Sequence, residues 1–313
     1  MSGHILPLDA GVTREKVVYK NRYGLDIVGE LYSLKTLDRA QKHAALIVGA
    51  PYGGVKEQGP SVYGNELAKK GFIVLTFDQS FMGESGGFPR RVSSLDIFVE
   101  NFSAAVDFLG CQPMVDRARI GVIGICGSAG FALSAAQCDV RIKAVAAMSM
   151  YDMSKAARLG MDAAAVQQTK EQLAQQRWVD AENGYPEYVP AFPEQPLDAV
   201  PADMEEPAAE WFRFYAVARG HHPAARGGFT TTSNLAMMNF PLLTHIDEIS
   251  PRPILFVVGD RAHSRFFSDE AFAAAKEPKQ MLVVEDAEHI DLYDRRDRIP
   301  FDKLEEFFRA QLG

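Results

Sequence analysis

Residues 119–136 read RIGVIGICGSAGFALSAA. The β-branched run IGVIGI (120–125) has the character of a buried strand, and the small-residue run after Gly127 has that of a helix. Cys126 stands at the turn between them, with Gly124 two residues before it and Ser128 two after. Such a strand-to-helix turn needs small residues at both flanks, because its backbone presses on the neighbouring strand and helix. It also sets Cys126 at a helix N-terminus, where the dipole and free N–H groups favour a thiolate and a developing oxyanion. A thiol pKa below the free value of about 8.5 is expected there. Ser128, flanked by Cys126 and Gly130, is the alternative nucleophile one step further on. A dinucleotide-binding turn needs two glycines one residue apart, whereas Gly121, Gly124, Gly127 and Gly130 are three apart.

Outward from this segment, short apolar runs alternate with amphipathic stretches. Strands are expected at 17–20, 25–31, 44–49, 72–77, 120–125, 144–150, 253–260 and 280–286, the third onward parallel and buried. Tyr63 to Lys70, Ser94 to Leu109 and Ala129 to Gln137 carry helical spacing, as does 301–312 at the end of the chain. Strand alternating with helix predicts an α/β fold with a mostly parallel central sheet flanked by helices. The rhythm lapses between Tyr151 and the run at 253. Residues 155–178 are helical by composition, and 184–207 hold six of the 17 prolines and read as irregular. The expected plan is a single domain over 1–313, with its core in about 16–151 and 251–313 and a largely helical lid at 152–250.

Of 313 residues, 47% are hydrophobic and 24% charged, as in ordinary globular domains, so disorder and coiled coil are excluded. Thirty-three basic against 41 acidic residues give a net charge of −8 with no basic run, which argues against nucleic acid and anionic membrane as partners. The N-terminal residues lack a basic stretch followed by an apolar one, and no apolar window is long enough to span a bilayer. Cys111, Cys126 and Cys138 are too few for a disulfide framework, and their spacings match no zinc pattern. A cytoplasmic protein is expected, with Cys111 and Cys138 structural. No HExxH or equivalent pair calls for a metal, and no cofactor is expected.

The elbow GICGSAG, with APYGGVKEQ (50–58), FDQSFMGESGG (77–87), VVGD (257–260) and AEHIDLYD (287–294), resembles the α/β-hydrolase superfamily. Within it the chain resembles the dienelactone-hydrolase-like branch, where cysteine replaces the usual serine, and is similar to bacterial α/β hydrolases and to fungal polyketide acyl-transfer enzymes. The resemblance implies a triad in the order nucleophile, acid, histidine, matched by Cys126, Asp260 at the end of one strand and His289 after the next. Glu285 and Asp286 are rivals for the acid. His263 is a candidate to support His289, His221 and His222 fall in the lid, and His4, His43 and His245 have no motif context. The oxyanion hole is expected from the N–H of Gly127 and, in the loop GAPYGGV (49–55), that of Tyr52, with Gly53 the next choice. Asp78 is expected to be structural. Phe81, Met82, Trp211, Tyr215 and Phe229 are expected to line the substrate pocket.

These residues imply attack by Cys126 on an ester, lactone or thioester carbonyl of a small-molecule acyl substrate, followed by hydrolysis. An acyltransferase would use the same acyl-enzyme with another acceptor. A non-catalytic small-molecule-binding module on the same scaffold is the reading from another class. A homodimer is left open.

Overall fold

In the computed structural model, which describes residues 3–313, the apolar runs form eight strands of one sheet. They are β1 (Val12–Lys20), β2 (Asp26–Leu34), β3 (His43–Gly49), β4 (Ile73–Phe77), β5 (Val115–Ile125), β6 (Ala144–Met148), β7 (Ile254–Gly259) and β8 (Lys279–Val284). Their order across the sheet is β1-β2-β4-β3-β5-β6-β7-β8. Pairing is antiparallel from β1 to β2 and from β2 to β4, and parallel from there on. β4, β6 and β7 are buried throughout because helices cover both faces, which is why they read as unbroken apolar runs.

Helices α1 (Gly59–Lys69), α2 (Leu95–Gly110) and α3 (Gly127–Cys138) link the central strands. α1 begins four residues before its apolar pattern does, since Pro60 suits the first turn, where a missing N–H costs nothing. The sheet separates two cores. Phe98 and Phe102 of α2 and Phe131 of α3 fill one; Tyr63 and Leu67 of α1 pack in the other with Leu304 and Phe308 of the C-terminal helix at 301–312.

Between β6 and β7 runs an insertion holding α4 (Met153–Ala156), α5 (Ala163–Asn183), α6 (Ala208–Tyr215), α7 (Ser233–Asn239) and a 3-10 turn at Ile246–Ile249. The single helix expected at 155–178 is two. Asp152 and Asp162 each cap a separate helix with the side-chain carboxylate, and Gly160 between them takes φ +75°, in the left-handed region. The proline-rich 184–207 has no helix and is tied to the rest of the insertion by single bridges, such as Tyr188 to Thr230. After β7 come α8 (Arg265–Ala274), then β8, α9 (Asp291–Asp294) and α10 (Phe301–Leu312). No helix among the described residues is long and apolar enough to cross a membrane.

Candidate active site

β3 and β5 are neighbours, but the chain leaves them in opposite directions across the sheet, β3 toward β4 and β5 toward β6. At such a switch point the loops beyond the carboxyl ends diverge and leave a crevice. Cys126 stands over it from β5, with φ +56° and ψ −122°, a conformation that non-glycine residues hold only when their surroundings enforce it. Gly124 shows the enforcement: a Cβ there would come within 2.2 Å of the Ser128 carbonyl oxygen. The Cys126 thiol is 5% exposed and faces the backbone N–H groups of Gly127 and Tyr52 and the Tyr293 hydroxyl. Burial pushes its pKa up to about 11 although those three donors favour the thiolate. The low thiol pKa expected from the helix N-terminus is therefore corrected, because desolvation outweighs the donors. Ser128 is fully buried and lies where a Cβ on Gly49 would meet it, outside the cavity above Cys126. Cys111 and Cys138, expected to be structural, are exposed.

His289 lies in the loop between β8 and α9 and has no exposed surface. Its Nε2 is 2.9 Å from the Tyr293 hydroxyl and its Nδ1 is 2.5 Å from Ser264 Oγ. Burial first, then the nearby His263, holds its pKa well below the ordinary histidine value. The expected acid is not there. Asp260 is exposed and accepts a 3.3 Å hydrogen bond from the Ala287 N–H, while Ser264, four residues on, reaches Nδ1. The chain makes one more turn after β7, so the strand's last carboxylate stays outside and the start of α8 comes under the imidazole. Asp286 pairs with Arg261 at the surface, and Glu285 is also exposed.

The insertion supplies a buried carboxylate beside this group. Glu210 of α6 is 4% exposed; one oxygen accepts from the Ile290 N–H at 3.0 Å and the other meets His263 Nδ1 at 2.7 Å. The His263 and His289 ring centres are 5.0 Å apart. Arg219 holds the same loop from its other side, donating to the Ile290 carbonyl and pairing with Asp294. Glu210, Ser264 and Tyr293 were not among the residues singled out from sequence. Only Tyr293 had a local signal, since the i, i+4 spacing from His289 puts both on one helical face. His221 bonds the Pro193 carbonyl, and neither it nor His222 lines the cavity.

Above Cys126 opens a cavity of about 430 Å³. Tyr52, Tyr151 and Tyr293 line it from the core, and Met153, Phe192, Trp211, Tyr215, Phe229 and Met237 from the insertion. Tyr52 stacks on Phe229 with ring centres 4.2 Å apart. Among the described residues, no acidic or basic side chain lines it. Phe81 and Met82 do not reach this cavity, contrary to expectation. They are buried and border a separate recess with Arg90 and Arg226, because Phe81, at φ +69°, turns its ring under Gly87 and into the core beside β2 and β4. Asp78, Glu57 and Glu84 gather around the ammonium of buried Lys56, at 2.9, 2.6 and 2.7 Å.

Set beside known proteins, the chain is 47% identical to PA2218 of Pseudomonas aeruginosa over 98% of its own length and 83% of that protein's. The crystal structure of PA2218 superposes with a TM-score of 0.95, covering 100% of this chain and 98% of that one at 45% identity. The chain belongs to the α/β-hydrolase superfamily. The family described as BAAT / acyl-CoA thioester hydrolase C terminal matches residues 97–200, the stretch that carries the elbow. YcjY of Escherichia coli is 32% identical over 88% of this chain and 90% of its own. The thiohydrolase aneE of Aspergillus aculeatus is 26% identical over 88% and 86%. The α/β-hydrolase architecture thus accounts for the sheet order and the strand-to-helix turn after β5.

Proposed function

We propose that this protein hydrolyses esters or thioesters of neutral, largely apolar acyl groups through an acyl-enzyme on Cys126. One observation carries the reading: at the base of an uncharged cavity the Cys126 thiol faces two backbone N–H groups, those of Gly127 and Tyr52. Donors arranged there would hold the oxyanion that forms when sulfur attacks a carbonyl. The resting pair is neutral, with the thiol pKa raised and that of His289 lowered, so the proton leaves sulfur as the carbon–sulfur bond forms. The carbonyl π-electrons move to oxygen. Collapse of the tetrahedral adduct expels the alkoxide or thiolate, which takes up the proton held at His289. Water, deprotonated at His289, then cleaves the acyl-cysteine and restores the thiol.

The cavity's aromatic and Met lining supports an apolar acyl chain, and its lack of a cation disfavours an acyl group carrying a carboxylate. The name of the thiohydrolase relative supports thioesters beside oxygen esters. Acyl transfer is the second reading, favoured by the same apolar enclosure, which limits water at the acyl-enzyme.

Acyl thioesters and p-nitrophenyl esters of graded chain length, with trapping at low pH and peptide mass mapping, test the proposal. An acyl mass on Cys126 and loss of turnover in Cys126→Ala are expected. Full activity in that variant would overturn it, as would tight ligand binding without turnover, which is the behaviour of a binding module. Ester or amide products on adding alcohols or amines would identify a transferase.

A further inference from the structure

Apart from the cavity above Cys126, the chain builds a cationic recess of about 320 Å³, bordered by Arg90, Arg91 and Arg226, with Pro223 and Ala224 at its exposed rim. Among the described residues, no carboxylate side chain lines it. Its back is the wall of the catalytic cavity. The Phe192 N–H donates to the Arg226 carbonyl at 2.8 Å and Arg226 Nε donates to the Phe192 carbonyl at 2.9 Å, while Phe192 and Gly227 line the cavity.

The charge of the recess is poorly neutralised by the protein. Arg226 meets Glu194 at 3.3 Å, but that glutamate is 81% exposed and worth little as a counter-charge. Among the described residues, neither Arg90 nor Arg91 pairs with a carboxylate. Arg90 donates to the carbonyls of Ser85 and Gly83, and burial holds its pKa below the ordinary arginine value despite the field of Asp78. Arg91 lies over the Tyr188 ring, 4.6 Å from its centre. Gly228 keeps that place open, since a Cβ there would come within 2.9 Å of Arg91 Nη1. The Arg91 backbone is pinned, its N–H donating to the Phe81 carbonyl at 2.9 Å and its carbonyl accepting from the Thr230 N–H at 3.0 Å. Three guanidiniums around one recess repel one another, in a protein whose net charge is −8, and a bound anion removes that repulsion.

We propose that this recess binds the phosphate of a phosphate ester, and that the adjoining groove takes the planar organic part of the same molecule. Guanidinium N–H groups match phosphate oxygens in pairs, which favours a phosphate over a halide or other point anion. The groove shares Arg90 with the recess and is lined by Phe88, Tyr185 and Tyr188. Phe88 is 87% exposed and Tyr185 67%, so two aromatic faces stand in water beside an unpaired cation. Arg91, stacked on Tyr188, joins recess to groove.

Isothermal titration calorimetry of the full chain with inorganic phosphate, phenyl phosphate and benzoate tests the site. Phenyl phosphate should bind once per chain, about threefold to tenfold more tightly than inorganic phosphate, the scale of one aromatic contact. Arg91→Gln and Arg226→Gln should each weaken both phosphates at least about tenfold, the loss of one charge-assisted hydrogen bond. Tyr185→Ala should abolish the preference for phenyl phosphate and leave inorganic phosphate unchanged. Arg226→Gln loses the bond to Phe192, so if it fails to fold, Arg91→Gln decides, with far-UV circular dichroism as the check. Binding that is equal in wild type and Arg91→Gln would overturn the proposal, as would no saturable binding of either phosphate at millimolar concentration. Benzoate bound as tightly as phenyl phosphate would overturn it in favour of a carboxylate site. Equal affinity for the two phosphates would identify free phosphate as the ligand and overturn the role of the groove.

Discussion

At the scale of single residues, the carboxylate after β7 and the hydroxyl beneath His289 make opposite predictions from those of sequence order. Asp260→Asn should leave kcat within about threefold, because its exposed carboxylate bonds the Ala287 N–H and not His289. Ser264→Ala leaves buried Nδ1 without a partner, an unmet polar group costing about 1–3 kcal/mol. Its kcat should fall tenfold or more, and parallel steady-state assays decide between the two. The thiols give a second test. Iodoacetamide at neutral pH should modify exposed Cys111 and Cys138 before Cys126, by peptide mapping. Cys126 labelling should keep rising as pH approaches about 11, since a raised pKa means that the thiolate appears only at higher pH. A plateau near pH 8 would show that burial does not control this thiol. The strand-to-helix turn at Cys126 and the place of His289 after the last strand were legible because local patterns mark them. Ser264 was not, because only the path of the chain after β7 brings it under the ring.

At the scale of elements, the insertion does more than cover the cavity. Glu210 of α6 accepts from the Ile290 N–H and Arg219 just after it donates to the Ile290 carbonyl, so the insertion that shapes the pocket also holds the residue next to His289. Glu210→Ala frees the Ile290 N–H and His263 together. It should lower Tm by several degrees and kcat by tenfold or more, with far-UV circular dichroism unchanged; a stability loss without a kcat loss would confine Glu210 to packing. Phe229→Ala removes the partner stacked on Tyr52 and enlarges the cavity. It should shift preference toward longer or bulkier acyl chains, read as kcat/KM across the graded series. The proline-rich stretch marked the insertion in the sequence, but nothing in a lone glutamate at 210 indicated that its partners lie at 263 and 290.

For the molecule as a whole, the sheet depends on polar contacts that only the assembled fold creates. Lys56 is 1% exposed and its ammonium pairs with Asp78, which has no exposed surface. Lys56→Ala strands a buried carboxylate, a loss of about 3–5 kcal/mol. At roughly 2–4 °C per kcal/mol, a fall in Tm of the order of 10 °C should follow in calorimetry; an unchanged Tm would show that water already shields the cluster. The sequence by itself determined the eight strands, the helices between them, the elbow at Cys126 and the insertion after β6. Those are local matters of periodicity, turn chemistry and small residues, each expressed within a few neighbours along the chain. Tertiary structure alone decided that Ser264 rather than Asp260 meets His289, that the Tyr293 hydroxyl meets His289 Nε2, and that Phe81 and Met82 turn away from the cavity. It also decided the thiol's protonation, because burial is a property of everything packed around Cys126, from Tyr52 to Tyr293, and no stretch of sequence holds those neighbours together.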